Sequence, residues 1–448
     1  MLKLFLWLRY LRKRKIVFLS ITAVALSVSL LIVVASLFTG FIKTFEQAAV
    51  DAIGDIVINP PISISKYPLL IEALEQTQTV EAATAMLIVP GLLNLGNGNV
   101  RPVEIWGIEP SSRDRVTGFK EYLLRQKDIT GEPSFKLPDS PEKTGGFVGI
   151  GVVAEPNEKT DEYNRDIVKA ALGRRVFVTA GALNKTQQEN GIKAQFRKKT
   201  IIFSIADIVE TGVYQFDQGC IFLPIEQLNK SLYPEEDSLI AEQILIKLSD
   251  PTQTDVALAV IRGVWINFVR EHLGSDPRLL NSTIIETSKQ LQSRLVAAYK
   301  NQMWILLVIF GVVSFSVVVL VFCIFYMIVT TKRKDIAIIK SCGMASRSVA
   351  LVFVGFGACV GIVGSGIGAI LGDIITRNIN TIERWISIIF GLKLWRSSVY
   401  MFSKIPNEVN WPWAAFLVSM AILAAAIGTL IPAIIAAKTK PVEILRYE

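Results

Sequence analysis

Few residues in this sequence are of a type that performs covalent or metal chemistry. There is one histidine, His272, which argues against a histidine-based metal or catalytic centre. Of the four cysteines, Cys323 and Cys359 lie in apolar runs and Cys342 in a short basic loop. Only Cys220 falls in the long polar middle, so no disulfide can form within that middle, and cysteine usage does not reveal a compartment. No G-x-x-x-x-G-K-[ST] phosphate loop occurs, which argues against ATP hydrolysis by this chain, and G-x-S-x-G, H-E-x-x-H and C-x-x-C are absent as well. The sequence therefore nominates no catalytic residue, no metal ligand and no cofactor of its own.

Two segments remain with a distinct chemical character. GIVGSGIGAILG (361–372) superficially resembles a dinucleotide fingerprint through Gly364, Gly366 and Gly368, but it lies inside an apolar run with no strand before it. Small residues at such spacing let membrane helices approach closely, so Gly361, Gly364, Gly368 and Gly372 are read as helix-packing positions. The second segment is TTKRKDIAIIKSCGMASRSVALVF (330–353). It sets Arg333 and Lys334 beside Asp335, then Ile336, Ile338, Ile339 and Lys340; Gly343 is expected to end a short helix before Met344, and Ser346 to cap the next one. A short helix of this kind, tied at both ends, can dock into a partner; a basic turn on a membrane surface is the plainer alternative.

The elements that must position these segments are apolar. The chain has 448 residues, 51% hydrophobic and 19% charged, with a mean hydropathy of +0.44. Runs at 16–42, 301–331, 349–372 and 411–437 contain no charge in their apolar parts, and each exceeds the roughly 20 residues that cross ~30 Å of hydrocarbon as a helix. The first is too long for the h-region of a signal peptide and is expected to stay as an anchor. The spans hold no internal ionisable residue, which argues against an ion-coupled carrier or a hydrophilic pore. Pro432 is expected to kink the last span or end it early.

The net charge of +8 is concentrated beside these runs, a pattern of membrane topology and not of nucleic-acid binding. Residues 1–15 carry Lys3, Arg9, Arg12, Lys13, Arg14 and Lys15 without an acid, and 332–348 is also strongly basic. Both are therefore expected in the cytoplasm, with the 438–448 tail, leaving 43–300 and the 373–410 loop outside.

Segment 43–300 has the composition of an α/β domain, long enough for two subdomains. Strands are expected at 51–60, around an Asn97-Gly98 turn in 80–110, at 199–212, in 218–232 ahead of a short helix, and at 242–250. Helices are expected at 67–77 and 254–273, and 126–165 reads as a loop or subdomain boundary. Phe41, Phe45, Ala48, Ala49 and Ile53 keep helical spacing beyond the first span, and Leu291, Leu295, Ala298 and Gln302 before the second. Two helices packed as a stalk fit this pattern, as do two short caps of the globular domain.

Four stretches carry a family resemblance. LRYLRKRK (8–15), ETGVYQFDQGCIFLPIEQLNKSL (210–232), KRKDIAIIKSCGMASRSV (332–349) and IPAIIAAKTKPVEILRYE (431–448) resemble, in order, the basic opening, outer-domain strand pair, coupling segment and terminus of the FtsX/MacB permease family. Together with 378–411, they look most similar to its lipoprotein-releasing LolC/LolE branch. Met344, Cys342 and Lys332 depart from that family's usual residues, and 110–170 matches poorly.

The resemblance implies an α-helical membrane protein with four transmembrane helices and a large α/β periplasmic domain of MacB-like type between helices 1 and 2, with an FtsX-like region at 303–440. It implies a bacterial inner-membrane permease without enzyme activity, working with two ABC ATPase subunits that bind ATP-Mg and with a second permease, identical or paired. The implied coupling residues are Arg333, Lys334, Asp335, Ile336, Ile339, Lys340, Gly343 and Met344. The implied work is release of lipoproteins to a periplasmic carrier; a MacB-like exporter of small amphiphiles or peptides and an FtsX-like activator of cell-wall hydrolases are the alternatives.

Overall fold

Uninterrupted apolar sequence and backbone self-satisfaction produce very long helices in this chain. In a computed structural model, residues 15–96, 98–137, 144–157, 160–188, 191–234, 239–391, 393–402 and 404–439 are described. The basic residues of 1–14 and the motif in 440–448 lie outside them, as does Asn97 of the expected turn. Among the described residues, four helices are long and apolar enough to cross a membrane. Span 1 belongs to helix Lys15–Ile53 and span 2 to helix Ser293–Thr331, each of 39 residues. Span 3 is Ser346–Arg377. Span 4 is Trp411–Gly428 continued by Leu430–Lys438, the break at Thr429 falling one turn ahead of Pro432. A proline disrupts the turn N-terminal to itself, where it clashes and supplies no donor, so the interruption lies before and not at the residue.

The chain divides into two units. One comprises the spans, residues 1–44, 296–382 and 405–448. Val24, Val28 and Ile32 of span 1, Val321 and Phe325 of span 2, and Phe356 and Val360 of span 3 form its apolar centre. Phe41 meets Tyr299 edge-on at 4.9 Å between ring centroids. The buried side of span 2 near its start is formed by Val296 and Met303, whereas Ala298 and Gln302 are exposed. The expected stripe was thus displaced in register, and Leu291 belongs to a separate short helix, Ser288–Leu291. The side chains of Ala49 and Leu295 lie outside the described set.

The second unit, 45–295 with 383–404, is an α/β fold. Its strands are β1 (Ile56–Asn59), β2 (Ile64–Ser65), β3 (Val80–Asn94), β4 (Val100–Ile108), β5 (Gly145–Gly149), β6 (Arg175–Gln188), β7 (Gly191–Val209), β8 (Cys220–Pro224), β9 (Ile240–Ala241), β10 (Gln243–Leu248) and β11 (Ile284–Thr287). Nine form one sheet in the order β11-β1-β10-β3-β4-β8-β5-β7-β6, and the end of β3 also pairs with β6. The pairs β4–β8 and β5–β7 are parallel. Helices Tyr67–Glu75 and Thr254–His272 add Leu70, Leu74, Ile261 and Trp265 to the larger core. A smaller aromatic core holds Trp106, Phe119, Phe147 and Phe222.

One expectation is corrected here. The stretch 126–165, expected as a loop or subdomain boundary, contains β5, whose five residues are all buried. Its sequence GGFVG hid it, because glycine is a poor strand former; yet a Cβ on Gly146 would come within 2.6 Å of Phe203, so close packing requires its absence.

Candidate functional site

Between spans 2 and 3 the chain folds into a nine-residue helix, Arg333–Ser341. Its start is set by Lys332, which pairs with Asp335 one turn on, an acid in the first turn complementing the helix dipole. Its end is set by Gly343, whose φ of +93° is a left-handed conformation that glycine adopts without steric cost. Ser346 does not cap the next helix: the cap position is Ala345, which supplies no side-chain bond.

The expected coupling residues fall on two sides. Arg333, Lys334, Asp335 and Ile339 are exposed. Ile336 is buried and joins Val329, Val349 and Ala436, with Met344 packed against them. These two apolar residues therefore hold the helix to spans 2, 3 and 4, Ile336 from a buried and Met344 from a half-buried position. Burial of such a side chain contributes roughly 1.5–3 kcal/mol. Ile338, 52% exposed, is the second apolar residue on the free side. Lys340 reaches Ala437 O and Thr439 O, both at 2.7 Å, and so occupies carbonyls left open at the end of span 4. Nothing in the sequence pattern identified that partner.

The glycine-rich helix presents two contact faces. A Cβ on Gly364 would lie 2.9 Å from Val24, on Gly368 2.6 Å from Ala25 O, and on Gly372 3.1 Å from Ile32. These three face span 1. Gly361 faces span 4, at 2.9 Å from Ala425 Cβ. Gly366 has nothing within 4 Å. Between spans 1, 2 and 4 lies an apolar cavity of about 380 Å³, with Phe315, Val318, Trp413 and Met420 in its wall. Its polar feature is Ser27 Oγ against Ser314 Oγ at 2.8 Å, a pair that satisfies itself. Such a chamber suits a hydrocarbon occupant and offers nothing to stabilise an ion.

Sequence reasoning also missed two buried polar groups in the α/β unit. Arg113 is 2% exposed, lies with its guanidinium carbon 5.5 Å from the centre of the Trp106 ring, and donates to Ala52 O near the end of helix Lys15–Ile53. Burial pushes its guanidinium down to about 10. Asp217 accepts from Thr211 N at 2.7 Å, Thr211 Oγ1 at 2.8 Å and Gly212 N at 3.0 Å. Burial still raises its carboxyl to about 6 against those bonds. Both lie close enough to the buried Cys220 to act on its thiol, which burial pushes well above its ordinary range; among the described residues no group of three or more His, Cys, Asp or Glu side chains is placed to hold a metal ion.

Comparison with known proteins follows the same division. Residues 307–441 match the family described as FtsX-like permease C-terminal. The chain is 26% identical over 463 residues to the lipoprotein-releasing system transmembrane protein LolC of Neisseria meningitidis serogroup B, covering 100% of this chain and 99% of that one. It is 26% identical over 455 residues to LolC of Xylella fastidiosa, covering 98% of each. Against LolE of Haemophilus influenzae it is 23% identical over 433 residues, covering 95% of this chain and 93% of that one. Among solved structures, the periplasmic region of MacB from Actinobacillus actinomycetemcomitans aligns with a TM-score of 0.30 and 14% identity, over 55% of this chain and 95% of that one. At that score the likeness carries no argument, and the fold class rests on the four helices and the sheet themselves. Residues 307–441 thus match the FtsX-like permease C-terminal family, in a chain similar over nearly its whole length to the lipoprotein-releasing system transmembrane proteins LolC and LolE.

Proposed function

We propose that this chain is the permease subunit of an ABC-type complex in a bacterial inner membrane, and that it releases lipoproteins to a periplasmic carrier using energy from a separate ATPase that binds ATP-Mg. The observation that carries the reading is the similarity to LolC and LolE along nearly the whole of each chain. The apolar cavity between spans 1, 2 and 4 supports it, since an acylated substrate needs a hydrocarbon-lined chamber. Each acyl CH₂ leaving the bilayer costs about 0.8 kcal/mol, so extraction needs external work.

In this reading the helix Arg333–Ser341 faces the cytoplasm with both termini, and its exposed Arg333, Lys334, Ile338 and Ile339 dock into the ATPase. A second permease, identical or paired, completes the complex. Movement of that helix passes through spans 2 and 3, and the two 39-residue helices carry it to the α/β unit at their far ends. The test is depletion of the chain in its host, followed by fractionation of the membranes. Lipoproteins normally bound for the outer membrane should accumulate in the inner membrane; an unchanged distribution would overturn the proposal.

A further inference from the structure

The segment joining spans 3 and 4 inverts the usual polarity of a surface helix. Helix Ile379–Phe390 begins one residue after span 3 ends at Arg377. Its buried positions are polar: Glu383 is 8% exposed and Ser387, one turn later, 9%. Opposite them the helix exposes large apolar side chains beside Arg384: Trp385 is 63% exposed, Ile388 74% and Ile389 66%, with Phe390 68% exposed at the helix end. Leu394 and Val399, after the helix, are exposed as well. In water this arrangement exposes hydrocarbon and buries a carboxylate, the reverse of what solvent favours.

The polar side is occupied. Glu383 lies 3.5 Å from Lys393 Nζ, both side chains being nearly buried, and Lys393 also donates to Thr160 O at 3.3 Å. Asp161 Oδ2 accepts from Ser397 N at 3.0 Å. The helix is therefore fixed with its apolar side outward. Its origin is fixed too: Asn380 exchanges two 2.9 Å hydrogen bonds with the backbone of Ile405, and Asn407 donates to Arg377 O at 3.2 Å. Both ends of the segment are thus held beside the ends of spans 3 and 4, and a twelve-residue helix reaches at most about 18 Å from its first residue.

We propose that the face formed by Trp385, Ile388 and Ile389 is a lipid-binding surface seated in the headgroup–acyl boundary of the bilayer. Three observations select lipid as the occupant. The helix follows a membrane span after a single residue; its exposed side carries a tryptophan, a residue that favours this boundary; and Arg384, exposed and next to Trp385 in the helix, offers a cation to lipid phosphate. The inward Glu383–Lys393 pair sets the rotation that delivers the apolar side to lipid. This surface is separate from the release activity proposed above, and its test involves neither ATPase nor lipoprotein.

The full chain, with Cys323, Cys342 and Cys359 replaced by alanine and Cys220 left buried, is reconstituted into phosphatidylcholine–phosphatidylglycerol vesicles. A bimane probe is attached at Ile388→Cys, and in a second protein at Val256→Cys, an exposed site on helix Thr254–His272. Phosphatidylcholine carrying a doxyl group near the headgroup should lower emission from position 388 by about twofold or more and leave position 256 unchanged. Aqueous iodide should quench 256 and spare 388. Iodide quenching at 388 without doxyl quenching would mean that the face meets water. Protection from both would mean that a protein, another subunit or a second copy, covers it. Either result overturns the proposal.

Discussion

Lys340 Nζ sits 2.7 Å from both Ala437 O and Thr439 O, so the short helix between spans 2 and 3 is clamped to the end of span 4. The terminal carbonyls of a helix lack partners within it and carry partial negative charge, and an ammonium there satisfies both needs. Lys340→Met keeps the apolar stem and removes the donor. It should destabilise the spanning unit by about 1–2 kcal/mol, read as a lower unfolding midpoint of the detergent-solubilised chain.

The contacts of the glycine-rich helix predict a contrast between two neighbouring positions. Gly368→Leu brings a side chain against Ala25 O, where even a Cβ would lie at 2.6 Å, and should cost at least about 2 kcal/mol of stability. Gly366→Ala meets nothing within 4 Å and should leave the same thermal transition unchanged or slightly raised.

Charge reversal should separate docking from folding. Arg333→Glu alters an exposed side chain, so the purified chain should retain its unfolding midpoint. Co-purification with a partner ATPase should fall by about tenfold or more, as expected when like charges replace complementary ones. Normal assembly of that variant would remove the docking role.

Asp217 gives a pH dependence whose sign follows from linkage. Burial raises its carboxyl in the folded chain to about 6, above the ordinary value of 3.8. Between these values the folded state holds more protons than the unfolded one, so this residue's contribution to stability falls as pH rises from about 4 to 6. Asp217→Asn cannot titrate. Plotted against pH, the wild-type unfolding free energy minus that of the variant should decline across this window, by an amount on the order of 1–3 kcal/mol.

Arg113→Met should cost about 1–3 kcal/mol, because the Ala52 carbonyl loses a buried charged donor. Arg113→Lys should also destabilise the fold, since an ammonium does not reproduce a planar guanidinium beside Trp106. Denaturation of both variants monitored by tryptophan fluorescence checks this.

What was legible in the sequence follows the length scale of each signal. The spans are uncharged over many residues, so hydropathy alone finds helices such as Ser346–Arg377. Helices Tyr67–Glu75 and Thr254–His272 and strand β10 were readable from local periodicity. Strand β5 was not, because its glycines are required by Phe203 and Phe135, partners distant in sequence. The side-chain directions of the short helix were not legible: Ile336 and Ile338 look alike until Val329, Val349 and Ala436 select one of them for burial. The clamp from Lys340 to Ala437 and the anchoring of Asn380 to Ile405 depend on how the chain returns, which no local pattern encodes.

The length of helix Lys15–Ile53 has a mechanical consequence. Thirty-nine residues without interruption make a rod about 58 Å long, nearly twice the hydrocarbon thickness. Pivoted at one tip, such a rod converts a tilt of about 5° into a sweep of about 5 Å at the other, close to the distance between neighbouring strands in a sheet. Small angular changes near its start are thereby geared up into displacements as large as a whole strand spacing.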